Sequence, residues 1–432
     1  MMLTIPVAAG RAWRVASGLA LALCGVAAVL PLAARAQTAL SNTPIFATQS
    51  VPGNVAMPLS VEYPTVQRVA HTDPYSTGAE FLGYFDPNKC YAYKYDAADT
   101  AVHPTDVTKV SYFQPAGAAA AHVCVGQWSG NFLNWATTQT IDPFRWGLTG
   151  GFRLVDTTTL TVLEKAWNTG QGGLFPDKSI TGALVSGATP FNFATLNTRI
   201  SNLGNKMRFT GTGNLGNAPA AYTGPGGTVA GTTYEVFARA RVCDPSNGAG
   251  GVEKNCVKYA ANWKPEGLMQ KYANKMRFSV FGYLNDDAEL RDGGVLRARQ
   301  KYVGPMSPVP GSAAITNIGA EWDPNTGLFI LNPDAADAMA TNTAFTPSTP
   351  VTNSGVINYV NKFGELAPSG TYTFKSHDPV SELYYAAVRY FKNLGNVASY
   401  TDMSGGDQPT RTKWIDGFPV ITNWTDPIQY SC

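Results

Sequence analysis

The sequence predicts an α/β protein: an open sheet flanked by helices, with long loop-rich and β-rich insertions. Three observations lead there. Val55, Met57, Leu59 and Val61 alternate with Asn54, Ala56, Ser60 and Glu62, the period of a strand. Phe278–Leu284 (FSVFGYL) is apolar on both sides, as a strand of a parallel sheet between helix layers requires. Val380, Leu383, Ala387, Tyr390 and Leu394 step by three and four along a helix. Strand, helix, strand, helix at these spacings describes a sheet covered by helices.

Residues 1–36 read as a cleaved signal peptide. Arg11 and Arg14 precede an apolar run from Leu19 to Leu32, and Ala34-Arg35-Ala36 fits a small-x-small cleavage site before Gln37. The run is too short for a transmembrane anchor, and Leu23 stands where a lipoprotein would need a small residue before Cys24. Residues 37–53 read as a flexible segment. The remainder, 54–432, reads as one domain with insertions at about 64–126 and 177–262.

Within that domain, Asn54–Tyr63 is the first strand, weakened toward an edge or bulge by Pro58. Ser129 is placed to cap a helix through Trp135 and Ala136. Asp142-Pro143 reads as a fresh cap and first-turn proline that either kinks or restarts it, and Gly150-Gly151 ends it. Phe152–Val155 is a short strand. Thr161 and Glu164 have capping-box spacing and predict a short helix. Ser179–Gly231 is rich in Gly, Asn and Thr and reads as a surface insertion, and Thr233–Val242 as one strand leading to Cys243. Leu268, Met269, Tyr272 and Met276 mark a helix face; Asp292-Gly293-Gly294 is a turn into the strand Val295–Val303. Val356, Val360 and Phe363 form a helical stripe ended by Gly364. Asp378-Pro379 is placed to cap the last helix, on which one of Tyr384 and Tyr385 is expected to face inward.

Export implies an oxidising compartment. After leader removal Cys90, Cys124, Cys243, Cys256 and Cys432 remain. Pairing by proximity gives Cys90–Cys124 and Cys243–Cys256 and leaves Cys432 unpaired, although spacing alone does not fix connectivity. Zinc is disfavoured: no CxxC pair occurs, and His71, His103, His122 and His377 are scattered. Charged residues are 14% of the chain, below the roughly 25% of an average soluble protein. A net charge of +2 gives no electrostatic case for nucleic acid.

Little in the sequence marks catalysis. There is no GxSxG, HExxH or Walker loop. Asp323-Pro324-Asn325-Thr326-Gly327 resembles a calcium loop with its glycine one place early, and a β-turn is the simpler reading. Asp286-Asp287 sits in a charged turn, and His377 stands beside the helix start. Glu62, Asp286, Glu321 and Glu382 are the carboxylates a secreted glycan-acting hydrolase would have to bring together. Trp128, Trp135, Trp146 and Trp167 suit a core better than a glycan platform.

Several unusual words occur in one order: Tyr84–Cys90 (YFDPNKC), Trp128–Ala136 (WSGNFLNWA), Gly150–Arg153 (GGFR), Arg241–Asp244 (RVCD), Lys264–Gln270 (KPEGLMQ), Arg291–Gln300 (RDGGVLRARQ) and Asp378–Tyr385 (DPVSELYY). In these the chain resembles the PilC/PilY family of type IV pilus biogenesis and tip-adhesion proteins of Gram-negative bacteria. The resemblance implies a von Willebrand factor A-like N-terminal region. It also implies a non-enzymatic role in pilus-associated adhesion or biogenesis, with minor pilins or a host or abiotic surface as partners. The expected location is the periplasm, outer membrane, cell surface or pilus tip. A periplasmic assembly factor is the alternative within the same resemblance. Two departures follow. The Asp-x-Ser-x-Ser metal motif is replaced by Leu59-Ser60-Val61-Glu62-Tyr63-Pro64-Thr65, so no metal or other cofactor is expected. The family's C-terminal β-propeller with its calcium loop has no counterpart before Cys432, so the chain reads as a truncated, split or short form.

Overall fold

The computed structural model describes residues 52–100, 106–246, 250–286, 291–309, 311–364 and 374–424. The proposed leader, most of the flexible segment, His103, Asp287 and Cys432 lie outside them. The fold is mixed α/β, with nine α-helices among the described residues and several separate sheets.

The sheet foreseen from the apolar FSVFGYL run has three strands. Gly53–Pro58 runs parallel to Met276–Gly282, Gly53 opposite Met276 and Pro58 opposite Phe281. Met276–Gly282 pairs antiparallel with Val295–Lys301. The sheet is therefore mixed rather than parallel. The first strand is shorter than Asn54–Tyr63: it stops at Pro58, and Tyr63–Gln67 is a helix. Helices Val356–Lys362 and Val380–Phe391 pack on this sheet. Two glycines permit the close approach. A Cβ on Gly282 would overlap the Tyr359 hydroxyl, and one on Gly294 would press on Leu383 and Ala386. Val280, Phe281, Leu296, Ile357, Val360, Leu383 and Trp424 share this core.

Between Pro58 and Met276 the chain builds a second, aromatic body. Six short strands lie in the order Trp128–Ser129, Lys89–Lys94, Tyr112–Ala118, Arg239–Val242, Thr161–Glu164, Arg153–Asp156. A second sheet runs Ala220–Ala221, Tyr234–Phe237, Lys206–Thr210, Thr195–Arg199, Lys178–Thr181. Trp128 of the six-stranded sheet joins the two sheets, meeting Phe113, Phe191 and Phe209 edge-on at centroid distances of 5.7, 5.3 and 5.2 Å. Such pairs favour edge-on geometry because the ring face is negative and the rim positive.

Several expectations are corrected here. Ser179–Gly231 is not a patternless insertion: Ile180, Leu196, Met207 and Phe209 are buried on one face of the second sheet, and their alternation was masked by Gly- and Asn-rich turns. Thr161–Glu164 is a strand, because the Glu164 carboxylate accepts from Arg239 and Asn205 instead of closing a capping box. Thr233–Val242 divides at Ala238 and changes sheets. Arg239, fully buried, fixes the second half by pairing with Asp99 and Glu164, each at 2.7 Å. The Leu268–Met276 helix shrinks to one turn, Leu268–Lys271, since Met276 already belongs to the central strand.

At the last helix Pro379 occupies the N-cap and no side chain caps it, so Asp378 does not serve as expected. Tyr384 and Tyr385 both face solvent. Helices Ala335–Phe345 and Gln408–Ile415 were not anticipated. Elsewhere the local signals hold. Ser129 caps Gly130–Thr137 by accepting from the Phe132 N–H, and Gly150, with φ +84°, ends Ile141–Thr149.

Candidate functional site: a cleft framed by two cystines

Two of the unusual sequence words form one piece of structure. Asn131 and Asn134 project from the Gly130–Thr137 helix into the loop Ala79–Phe85. Asn131 Oδ1 accepts from the Phe81 N–H at 2.8 Å, and its Nδ2 donates to the Ala79 carbonyl at 2.8 Å. Asn134 accepts from Phe85 N–H at 3.0 Å and donates to the carbonyls of Phe81 and Phe85 at 2.8 and 2.7 Å. A buried amide with its donors and acceptor satisfied fixes a loop as firmly as a strand pairing does. Tyr91 adds a further tie, its hydroxyl accepting from the Asp86 N–H at 2.8 Å.

Cys90 and Cys124 are joined, as are Cys243 and Cys256. The first bridge ties the Lys89–Lys94 strand to the turn before Trp128; the second closes the loop after Arg239–Val242. A buried ion pair connects them. Lys89 Nζ lies 2.7 Å from Glu253 Oε1 and 2.6 Å from the Gly251 carbonyl. The other Glu253 oxygen accepts from the Cys243 N–H at 2.6 Å. Cys243, Glu253 and Cys256 are the cluster among the described residues with metal-ligand spacing. Here both sulfurs are spent in the disulfide, and the carboxylate is held by Lys89 and a backbone amide.

Next to this tie lies a cleft of about 270 Å³. Its floor is apolar: Tyr84, Phe85, Trp146, Leu163, Val242 and Pro265. Glu80, Asp86 and Lys254 supply charge around it. A greasy floor with sparse polar groups is the usual make-up of a recognition pocket. The sequence flagged YFDPNKC and RVCD separately. The one available signal was a lysine beside Cys90 and a glutamate inside the Cys243–Cys256 loop.

At the place of the degenerate metal motif, the Ser60 and Thr65 hydroxyls both donate to Glu62, Thr65 at 2.6 Å. Asp378 lies 3.4 Å from the Ser60 hydroxyl. Glu62, Asp378 and Glu382 all act on the Tyr283 hydroxyl, which burial first and these carboxylates after it hold well above its ordinary pKa. The other two candidate carboxylates are engaged elsewhere. Asp286 pairs with Arg291 at 2.9 Å; Glu321 pairs with Lys301 at 3.0 Å and accepts from the first N–H groups of the Val356–Lys362 helix. Among the tryptophans, Trp128 and Trp135 are buried, while Trp146 and Trp167 are partly buried. Among the described residues no helix is long and apolar enough to cross a membrane.

Residues 72–220 match the family model described as the small alpha/beta domain of PilY1 homologues. Over 417 residues, 94% of this chain, the sequence is 44% identical to a type IV pilus biogenesis factor PilY1 homolog of Xylella fastidiosa (strain Temecula1), of which the match covers 33%. A second protein of that name from the same organism is 24% identical over 390 residues, 77% of this chain and 23% of that protein. The chain thus spans about a third or less of the length of these curated relatives. No solved structure matches the fold. The ordered words, the matched domain and the identity sustained across nearly the whole chain make this protein a member of the PilC/PilY family.

Proposed function

We propose that this chain is an exported, pilus-associated binding region that supports type IV pilus biogenesis and adhesion without turning over a substrate. The observation that carries the reading is the 44% identity, sustained over 94% of the chain, to a relative named as a type IV pilus biogenesis factor. The two disulfides fit an exported protein, since such bonds persist in oxidising compartments. The central three-stranded sheet with its two helices is read as a reduced von Willebrand A-like core. The aromatic body inserted into it would present the cystine-framed cleft to a minor pilin or a surface ligand. No metal is assigned to the Ser60–Thr65 corner, because Glu62 already accepts both neighbouring hydroxyls.

Deletion of the gene, with complementation by wild-type or cleft variants, tests this reading. Loss of surface pili and of pilus-dependent attachment is expected on deletion. Restoration is expected with the wild type and with a Glu62→Gln, Glu382→Gln double variant, but not with Trp146→Asp. Normal piliation and attachment in the deletion strain would overturn the pilus assignment. Failure of the double carboxylate variant alone, with the fold intact, would overturn the non-catalytic part.

A further inference from the structure

The strand Arg239–Val242 borders two clefts, the cystine-framed one and a second of about 260 Å³. The second is walled by Thr158 and Thr159 of one turn, by Arg241 and Asp244, and by Asn262 and Trp263. These walls are tied together. Lys264 Nζ donates to the Thr157 carbonyl at 2.6 Å, to the Thr161 hydroxyl at 2.8 Å and to Asp156 at 2.6 Å. The threonine turn is thereby bound to the strand Trp263–Pro265. Within the turn the Thr157 hydroxyl accepts from the Leu160 N–H at 3.0 Å. Asn262 is held twice: its Nδ2 donates to the Thr326 carbonyl at 2.6 Å, and its own carbonyl accepts from the Tyr259 N–H at 2.8 Å.

One group in this frame is left over. Asn262 is only 6% exposed, and its Oδ1 has no hydrogen-bond partner. A buried acceptor without a donor is costly, and a ligand that donates to it removes the cost. The charges at the cleft cancel. Arg241 Nη2 lies 2.9 Å from Asp244 Oδ2, and among the described residues no other charged side chain lines it. Trp263 is partly exposed, and Thr158 and Thr159 are exposed. The fitting ligand is therefore uncharged, both donates and accepts, and has an apolar face for an indole. A sugar ring has all three properties. A peptide strand fits less well, because it needs a run of main-chain groups, and these walls offer hydroxyls and an amide instead.

We propose that this cleft binds a neutral saccharide, a hexose or N-acetylhexosamine unit of a surface glycan. The ring lies against Trp263 and one hydroxyl donates to Asn262 Oδ1. The Arg241–Asp244 pair and the threonine hydroxyls engage the others. The volume is just under the roughly 300–1,000 Å³ of sites for drug-sized ligands, which limits the ligand to one or two rings.

Binding of the full chain, with both disulfides formed, to an immobilised panel of neutral oligosaccharides tests this. The panel contains glucose, galactose, mannose, fucose and N-acetylhexosamine units, with sialylated and sulfated members alongside. Binding to at least one neutral member is expected, undiminished by salt. Trp263→Ala should weaken it at least about tenfold, the scale of losing an aromatic anchor. Thr158→Arg, at an exposed turn position, should block the cleft to the same extent while melting like wild type, and it decides the matter even where Trp263→Ala does not fold. No binding to any neutral member would overturn the proposal, as would binding confined to sialylated or sulfated members. Neutral binding unchanged in Thr158→Arg would place the saccharide elsewhere and overturn this site.

Discussion

Lys89 Nζ sits 2.7 Å from Glu253 Oε1, so the residue beside one cystine clamps the loop closed by the other. Both side chains are buried, Lys89 at 3% and Glu253 at 9% exposure. Breaking a buried pair from one side leaves an uncompensated charge and costs about 3–5 kcal/mol. Glu253→Ala is therefore expected to lose stability on that scale in urea unfolding, and Lys89→Met, Glu253→Leu together to recover most of it. Equal losses in the single and double variants would show that the pair does not couple the two loops.

The two cystines should matter individually. The loops they close have sequence separations of 34 and 13 residues. Loss of either native bridge is expected to cost roughly 2–4 kcal/mol. Thermal melts of Cys90→Ala, Cys124→Ala and of Cys243→Ala, Cys256→Ala should each fall below wild type. Reductant should lower the wild-type melt and leave the variant lacking both bridges unchanged. A Cys90→Ala, Cys124→Ala protein that melts like wild type would contradict a stabilising bridge.

Asp142 gives a pH dependence with a definite sign. Full burial raises its pKa to about 6 against an ordinary 3.8, opposed by Lys165, by the N–H groups of Gln139 and Ala166, and by Arg145. The native state therefore holds this proton more tightly than the unfolded chain. Its contribution to stability is complete below pH 3.8 and is lost as pH rises through about 6. The amount is at most about 3 kcal/mol, at 1.36 kcal/mol per pKa unit. Chemical unfolding of wild type and Asp142→Asn between pH 4 and 7 should show a stability difference that shifts against the wild type as pH rises. A constant difference would remove Asp142 from the titration.

Gly282 lets the sheet and its helix touch. A methyl group there would meet the Tyr359 hydroxyl of the Val356–Lys362 helix. Tyr359 is buried, so it has little room to yield. Gly282→Ala should cost about 1–3 kcal/mol, the usual range for overpacking. Adding Tyr359→Phe, which removes the colliding oxygen, should restore part of it. An unaffected Gly282→Ala melt would mean that the helix can retreat from the sheet.

Local signals in the sequence hold where one residue does one job. Ser129 caps its helix, Gly150 ends the next, and FSVFGYL is buried on both sides as its composition indicates. Local signals fail where a side chain answers to a distant partner. Glu164 has capping-box spacing from Thr161 but belongs to Arg239, 75 residues on. Thr233–Val242 has strand composition throughout, yet Arg239 is drawn into a different sheet by Asp99. The cleft was legible only as fragments, because Lys89 and Glu253 lie 164 positions apart and neither residue type reports on the other.

The parallel seam between Gly53–Pro58 and Met276–Gly282 also governs how the molecule can be made. The first strand enters the growing polypeptide more than two hundred positions before the neighbour that covers its edge. Closing so distant a contact is slow, and an uncovered strand invites association with other chains. Many pairings of the aromatic body are nearer in sequence, Lys89–Lys94 with Tyr112–Ala118 among them, and carry a smaller closure cost. Until that seam forms, the opening strand keeps an unsheltered edge.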